Sequence, residues 1–179
     1  YFEGIYASSR HIPGVRFPGT IHPGLIGTLP SADLLKTWND REKKLFDTNP
    51  TRTPPLCTLP DGMAGTTTAL MGGMTGADAK IAGAEAARTV PGREHGGNCD
   101  IKNLSRGSKV FFPVYVDGAG LSMGDIHWSQ GDGEITFCGA IEMAGWIDIS
   151  VDIIKGGMEM YGVTNPIFQT SPIDANYSE

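Results

Sequence analysis

The sequence predicts a β-rich α+β fold, and three stretches carry that expectation. Residues 146 to 153 alternate Ile147, Ile149, Val151 and Ile153 against Asp148, Ser150 and Asp152, the period of a strand with one buried face. Residues 109 to 116 gather Val and aromatic side chains, which suit a pleated surface. Residues 31 to 46 hold the one clear helical pattern. Elsewhere, 25 glycines and 12 prolines among 179 residues interrupt the chain too often for long helices.

Taken in order, residues 1 to 30 read as extended loop with short strands, with His11 and His22 each near a Pro-Gly step. The helix at 31–46 opens on Ser31 as N-cap, with Asp33 in the first turn near the positive end of the dipole. Leu34, Leu35, Trp38 and Leu45 share its apolar face, and Lys43 and Lys44 suit its C-terminal end. Residues 47 to 76 read as loop. Residues 77 to 88 are Ala-rich and helical, broken once by Gly83, and must stop before Pro91. An extended 98–104 segment would point Asn98, Asp100 and Lys102 to one face and Cys99 and Ile101 to the other. In the strand at 109–116, Pro113 implies an edge position or a bulge, and Asp117-Gly118 signals a turn. Gly156-Gly157 ends the 146–153 strand, and the last 20 residues read as irregular connection.

The composition bounds the function. At 40% apolar and 19% charged, the chain is an ordinary globular sequence with length enough for one domain and a core. A net charge of −6, with no basic cluster beyond Arg41 to Lys44, argues against nucleic acid. No apolar run approaches the roughly 20 residues of a membrane span, so no membrane partner is expected. Cys57, Cys99 and Cys138 are an odd number at irregular spacing, which suits free thiols in a reducing, cytoplasmic setting.

Chemistry concentrates in Gly124-Asp125-Ile126-His127-Trp128-Ser129-Gln130-Gly131-Asp132-Gly133-Glu134, followed by Cys138-Gly139-Ala140-Ile141-Glu142. Glycines between carboxylates, a His and a Gln let the backbone bend so that polar groups converge. A second stretch, Arg93-Glu94-His95-Gly96-Gly97-Asn98-Cys99-Asp100-Ile101-Lys102, has the same character. With Arg16-Phe17-Pro18-Gly19-Thr20-Ile21-His22-Pro23-Gly24, these motifs resemble the acetamidase/formamidase family, and within it the formamidases. The resemblance runs in order through most of the chain.

The resemblance implies a sandwich-like core decorated by a few helices, hydrolysis of a small amide (formamide to formate and ammonia), and a homo-oligomer, a trimer or a multiple of it; another short-chain or cyclic amide hydrolase on the same fold and a non-catalytic structural homologue are the alternatives. Family members are longer on both sides, so residues 1 to 179 read as a single partial catalytic domain, the central part of a longer chain. Amide hydrolysis needs an activated nucleophile, a stabilised oxyanion and an acid for the leaving amine, and three arrangements are open. In the favoured one, Asp100, His127 and Asp125 or Asp132 ligate a divalent metal, zinc preferred, with Glu142 as general base. In the second, Glu142 or Glu134 activates water directly while Lys102 and backbone amides hold the oxyanion. In the third, Cys99 is a nucleophile beside Asp100 and Lys102, although a Cys among apolar neighbours is usually inert. His22, Asn98 and Gln130 are the candidate substrate-binding residues, with Trp128, Phe137 and Met143 as walls of a small site.

Overall fold

The structure, a computed structural model, describes residues 2–3, 6–49, 60, 73–89, 92–134 and 138–171. Three antiparallel sheets and few helices make up the described part, in agreement with the β-rich expectation. Strands β1 (Phe2–Glu3), β2 (Tyr6–Ser8) and β3 (Arg16–Pro18) form the first sheet. The central sheet holds β4 (His22–Gly27), β5 (Gly96–Asn98), β7 (Ser122–Ser129) and β8 (Ile141–Glu142), in the order β5-β4-β7-β8. A third, two-stranded sheet pairs β6 (Lys109–Phe111) with β9 (Ile167–Gln169). Helices α1 (Ala32–Thr48), α2 (Gly76–Glu85), the single turn α3 (Gly157–Tyr161) and a 3-10 turn at Asp132–Glu134 complete the elements among the described residues.

Helix α1 forms as its sequence dictates. The Ser31 hydroxyl accepts a hydrogen bond from the Leu34 N–H at 3.1 Å, satisfying one of the free donors of the first turn. Trp38 is the buried residue of its face, with Leu34 and Leu35 half-buried. Leu45, expected on that face, is instead 66% exposed, because α1 docks through its middle rather than along its length. The dock is specific: the Trp38 indole N–H donates to Glu94 at 2.7 Å and its ring packs on His95 with centroids 4.7 Å apart. Arg41 donates to the same Glu94 carboxylate at 2.7 Å, and Arg93 pairs with Glu42. The helix is thereby fixed to the residues that lead into β5.

β4 is the spine of the central sheet, buried at every position but Leu25, which is half-buried. It runs antiparallel to β5 on one side (Leu25 opposite Asn98, Gly27 opposite Gly96) and to β7 on the other (His22 opposite His127, Gly27 opposite Ser122). The β4–β5 approach is close enough to need glycine. A Cβ on Gly96, which has φ +95°, would lie 2.5 Å from the Ile26 carbonyl oxygen.

Several expectations are corrected here. Residues 146 to 153 form no strand: among the described residues no neighbour offers them a ladder, Trp146 is 97% exposed and Ile153 73% exposed. The alternation encodes a strand's side-chain pattern, but a strand exists only where another backbone supplies hydrogen bonds. Asp148 and Asp152 are exposed, as expected. The 98–104 segment is not extended, because Asp100 has φ +47° and Leu104 N–H closes a turn onto Ile101. β6 stops at Phe111, before Pro113, and α2 ends at Glu85 rather than residue 88. β9 lies in a region expected to be irregular. The longest strand, β7, runs through the Gly-rich central stretch, held by partners on both sides. Of the expected 47–76 loop, residues 47 and 48 end α1 and Gly76 begins α2, while most of the rest, Cys57 included, lies outside the described residues. Among the described residues no helix is long and apolar enough to cross a membrane.

Candidate metal centre

The interior of the central sheet is polar. Among the described residues, Thr20, His22, Thr28, His95, His127, Ser129 and Gln130 are buried polar side chains, beside Ala7, Pro23, Ile26, Trp38, Pro60, Leu104, Pro113 and Trp128 as buried apolar ones. Buried polar groups must be hydrogen-bonded or serve a ligand, so the sheet interior is where a site belongs.

The convergence is built on Gly24, in the middle of β4. Its carbonyl accepts from both Cys99 N–H (2.8 Å) and Asp100 N–H (3.1 Å), which brings the turn after β5 to its side. Across the other edge, β7 carries Asp125 and His127. One ligand atom each from Asp100, Asp125 and His127 lies within 4.8 Å of the others, with His127 Nε2 3.2 Å from Asp125 Oδ1. A Cβ built on Gly24 would stand 2.7 Å from Asp125 Oδ2, 2.8 Å from His127 Nε2 and 2.9 Å from Asp100 Oδ1. Gly24 therefore leaves open a small space faced by all three.

The backbone is bent to make this cluster. Asp100 (φ +47°) and Asp125 (φ +53°) both sit in the left-handed region, which costs roughly 1–2 kcal/mol per non-glycine residue and is tolerated best by Asp and Asn. Asp100 Oδ1 is buried and has no hydrogen-bond partner among the described residues. Burial first, then the nearby Glu134 and Asp125 charges, push the Asp100 carboxyl above the ordinary carboxylate range, while His127 opposes the shift. An orphaned carboxylate oxygen, a histidine nitrogen and a second carboxylate around one space fit a divalent cation, and an N/O donor set suits zinc among others.

The other expected site residues fall around this centre. His22 is fully buried, its Nδ1 2.5 Å from Thr20 O and its Nε2 3.0 Å from Gln130 Oε1. Gln130 Oε1 also receives His127 Nδ1 at 2.6 Å, while Gln130 Nε2 donates to the Asp100 carbonyl. Glu142 lies opposite His127 on β8 and borders an open cleft of about 540 Å³ formed by residues 124–126 and 142–145, Asp125 and Met143 among them. Asp132 stands apart from Asp100, Asp125 and His127, 86% exposed and paired with Lys102 at 2.9 Å. Glu134 Oε1 accepts the Gly139 and Ala140 N–H groups at 3.0 Å each, tying down the turn before β8. Asn98 is half-buried on β5 opposite Leu25. Cys99 is half-buried with its thiol 3.9 Å from Ile26 O, and burial pushes it up to about 11. Trp128 packs under Gly19 and donates to Phe17 O at 3.2 Å, so it is a core residue and not a wall. Phe137 lies outside the described residues. Gly24 was not singled out by sequence reasoning; the signal was a strand glycine two residues after a buried His.

Comparison with known proteins places this centre in context. A family model described as the Acetamidase/Formamidase family matches residues 1–179. The chain is 60% identical over 178 residues to a formamidase of Methylophilus methylotrophus and 58% identical over 180 residues to an acetamidase of Mycolicibacterium smegmatis. In each case the match covers 99% of this chain and 43% of the relative. Among solved structures, a gamma lactamase from Delftia acidovorans superposes with a TM-score of 0.83 at 64% identity, over 98% of this chain and 42% of that one.

Proposed function

Because the chain belongs to the acetamidase/formamidase family, we propose that it carries the water-activating centre of a hydrolase that splits formamide into formate and ammonia. The observation behind this reading is the convergence of Asp100, Asp125 and His127 on the space left by Gly24. A divalent ion held there, zinc favoured, would lower the pKa of a bound water and polarise the amide carbonyl.

The chain's own residues supply the rest. Glu142, on the strand beside His127 and at the rim of the cleft, is positioned to take a proton from water and return it to the leaving amine. Lys102, two residues from Asp100 in sequence and paired with Asp132 at 2.9 Å, is assigned to the developing oxyanion. Asn98 is assigned to the amide substrate. His22 and Gln130, buried behind the metal ligands, hold those ligands rather than reaching the open side. The thiol route is disfavoured, since a thiol raised to about 11 and turned to a backbone carbonyl is a poor nucleophile at neutral pH.

A second reading is a cyclic-amide hydrolase at the same centre. It is favoured by the 64% identity to the gamma lactamase from Delftia acidovorans. The intact protein is further proposed to be a cytoplasmic homo-oligomer, a trimer or a multiple of it.

The test is ammonia release from formamide before and after metal removal, with a γ-lactam as competitor. Activity lost on chelation and restored by zinc supports the metal centre. Full activity in metal-free protein transfers water activation to Glu142 alone, and preferential turnover of the lactam selects the second reading.

A further inference from the structure

We infer that Gln130 is a positioning residue that fixes the tautomer of His127, leaving the His127 Nε2 lone pair free for a cation. This rests on the reading of Asp100, Asp125 and His127 as metal ligands. Gln130 follows β7 and is only 6% exposed, so its amide has no water to turn toward. Its Nε2 donates to the Asp100 carbonyl oxygen. Exchanging the amide oxygen and nitrogen would set two acceptors against each other there, so this bond decides the orientation of the side chain. Gln130 Oε1 must then face His127 Nδ1 at 2.6 Å and His22 Nε2 at 3.0 Å. An amide oxygen only accepts; His22 already donates through Nδ1 to the Thr20 carbonyl oxygen at 2.5 Å, so the shorter 2.6 Å contact is the one Gln130 Oε1 receives, and His127 carries its proton on Nδ1.

The alternative tautomer has a real attraction. His127 Nε2 lies 3.2 Å from Asp125 Oδ1, and a proton on Nε2 would be donated to that carboxylate. That state closes the site, because a protonated nitrogen cannot ligate. Gln130 rewards the opposite state. The same amide holds the Asp100 carbonyl, and so helps keep the left-handed backbone (φ +47°) that turns the Asp100 carboxylate inward. One side chain, 30 residues from Asp100 and three from His127, thus orients two of the three ligands.

The experiment uses the intact protein with ¹⁵N-labelled histidine, His127 being assigned by its disappearance in a His127→Ala variant. In metal-free protein the ring shifts should report a proton on Nδ1. Gln130→Leu, which keeps volume and loses the acceptor, should move the proton to Nε2 and weaken zinc binding by about 10- to 100-fold, the usual effect of losing an outer partner of a ligating His. Gln130→Glu keeps an acceptor and should retain the Nδ1 proton, which decides the matter even if the Leu variant does not fold. A wild-type protein with the proton on Nε2, a Leu variant with unchanged tautomer and affinity, or a Glu variant with the proton on Nε2 would each overturn the inference. Absence of zinc binding in wild type with the Nδ1 proton in place would instead strike the metal reading alone.

Discussion

The interior between β4 and β7 and the irregular stretch from Trp146 to Ile154, called the ribbon below, reverse the usual distribution of side chains. The first buries two histidines and a glutamine; the second exposes Trp146 at 97%, Val151 at 67% and Ile153 at 73%. In the first region every strand has a neighbour, and His22, His127 and Gln130 are hydrogen-bonded to one another. The ribbon has the better strand sequence and no ladder among the described residues. Partners, and not intrinsic pattern, decide which stretch of this chain becomes sheet.

That contrast can be broken or sharpened by substitution. The largest stability effect is expected from Trp38→Ala, about 3–5 kcal/mol as for other buried aromatic truncations, read as a fall in thermal midpoint; a loss below about 1 kcal/mol would mean that α1 does not depend on this anchor. Gly24→Ala should come next. The added methyl occupies the space between Asp100, Asp125 and His127, so zinc affinity by calorimetry should drop by about 100-fold, the upper end for a supporting residue, with the circular dichroism spectrum preserved. Unchanged affinity would place the cation elsewhere.

A smaller effect belongs to the α1 dock. Burial opposes ionisation of Glu94, but hydrogen bonds from Arg41 and Trp38 prevail and hold its carboxyl below the ordinary value of 4.5. Its contribution is complete above that value and is lost as pH falls through the lower, folded-state value. For this partly exposed pair the contribution is about 0.2–1 kcal/mol. Acid titration of thermal stability should show the loss below pH 4.5, and Glu94→Gln should abolish that limb. The smallest effect is expected from Trp146→Ala, within about 0.5 kcal/mol as for other exposed positions. A loss of several kcal/mol there would show that the ribbon is covered in the intact protein, which would erase the contrast.

Much of the site was legible because its residues come in compact runs. Asp100, Asp125 and His127 stand in two Gly-bearing stretches, and the need for glycine near converging polar groups marked both. Helix α1 was legible through Ser31 and the spacing of Leu34, Leu35 and Trp38. What escaped depends on contacts distant in sequence. His22 and His127 meet through Gln130 only because β4 and β7 are paired, and no periodicity contains that fact. Nothing in the Gly-rich stretch signals β7, because Gly124 and Asp125 are poor strand formers; flanking strands override that preference. The alternating face of the 98–104 segment failed on a single left-handed residue, Asp100. Asp132 and Glu134, close in sequence to the ligands, are taken up by Lys102 and by backbone N–H groups.

The left-handed backbone at Asp100 and Asp125 has a consequence for how freely these positions can vary. Two separate filters act on each. The dihedral angle admits Gly, Asn and Asp readily and rejects β-branched residues, whatever the side chain would do afterwards. Affinity for the proposed cation would then select within that short alphabet for a charged oxygen donor. A library randomised at positions 100 and 125 and sorted for folding alone should return Gly, Asn and Asp, whereas sorting for zinc retention should narrow it to Asp. The gap between the two populations measures, in units of sequence freedom, how much of this site is geometry and how much is charge.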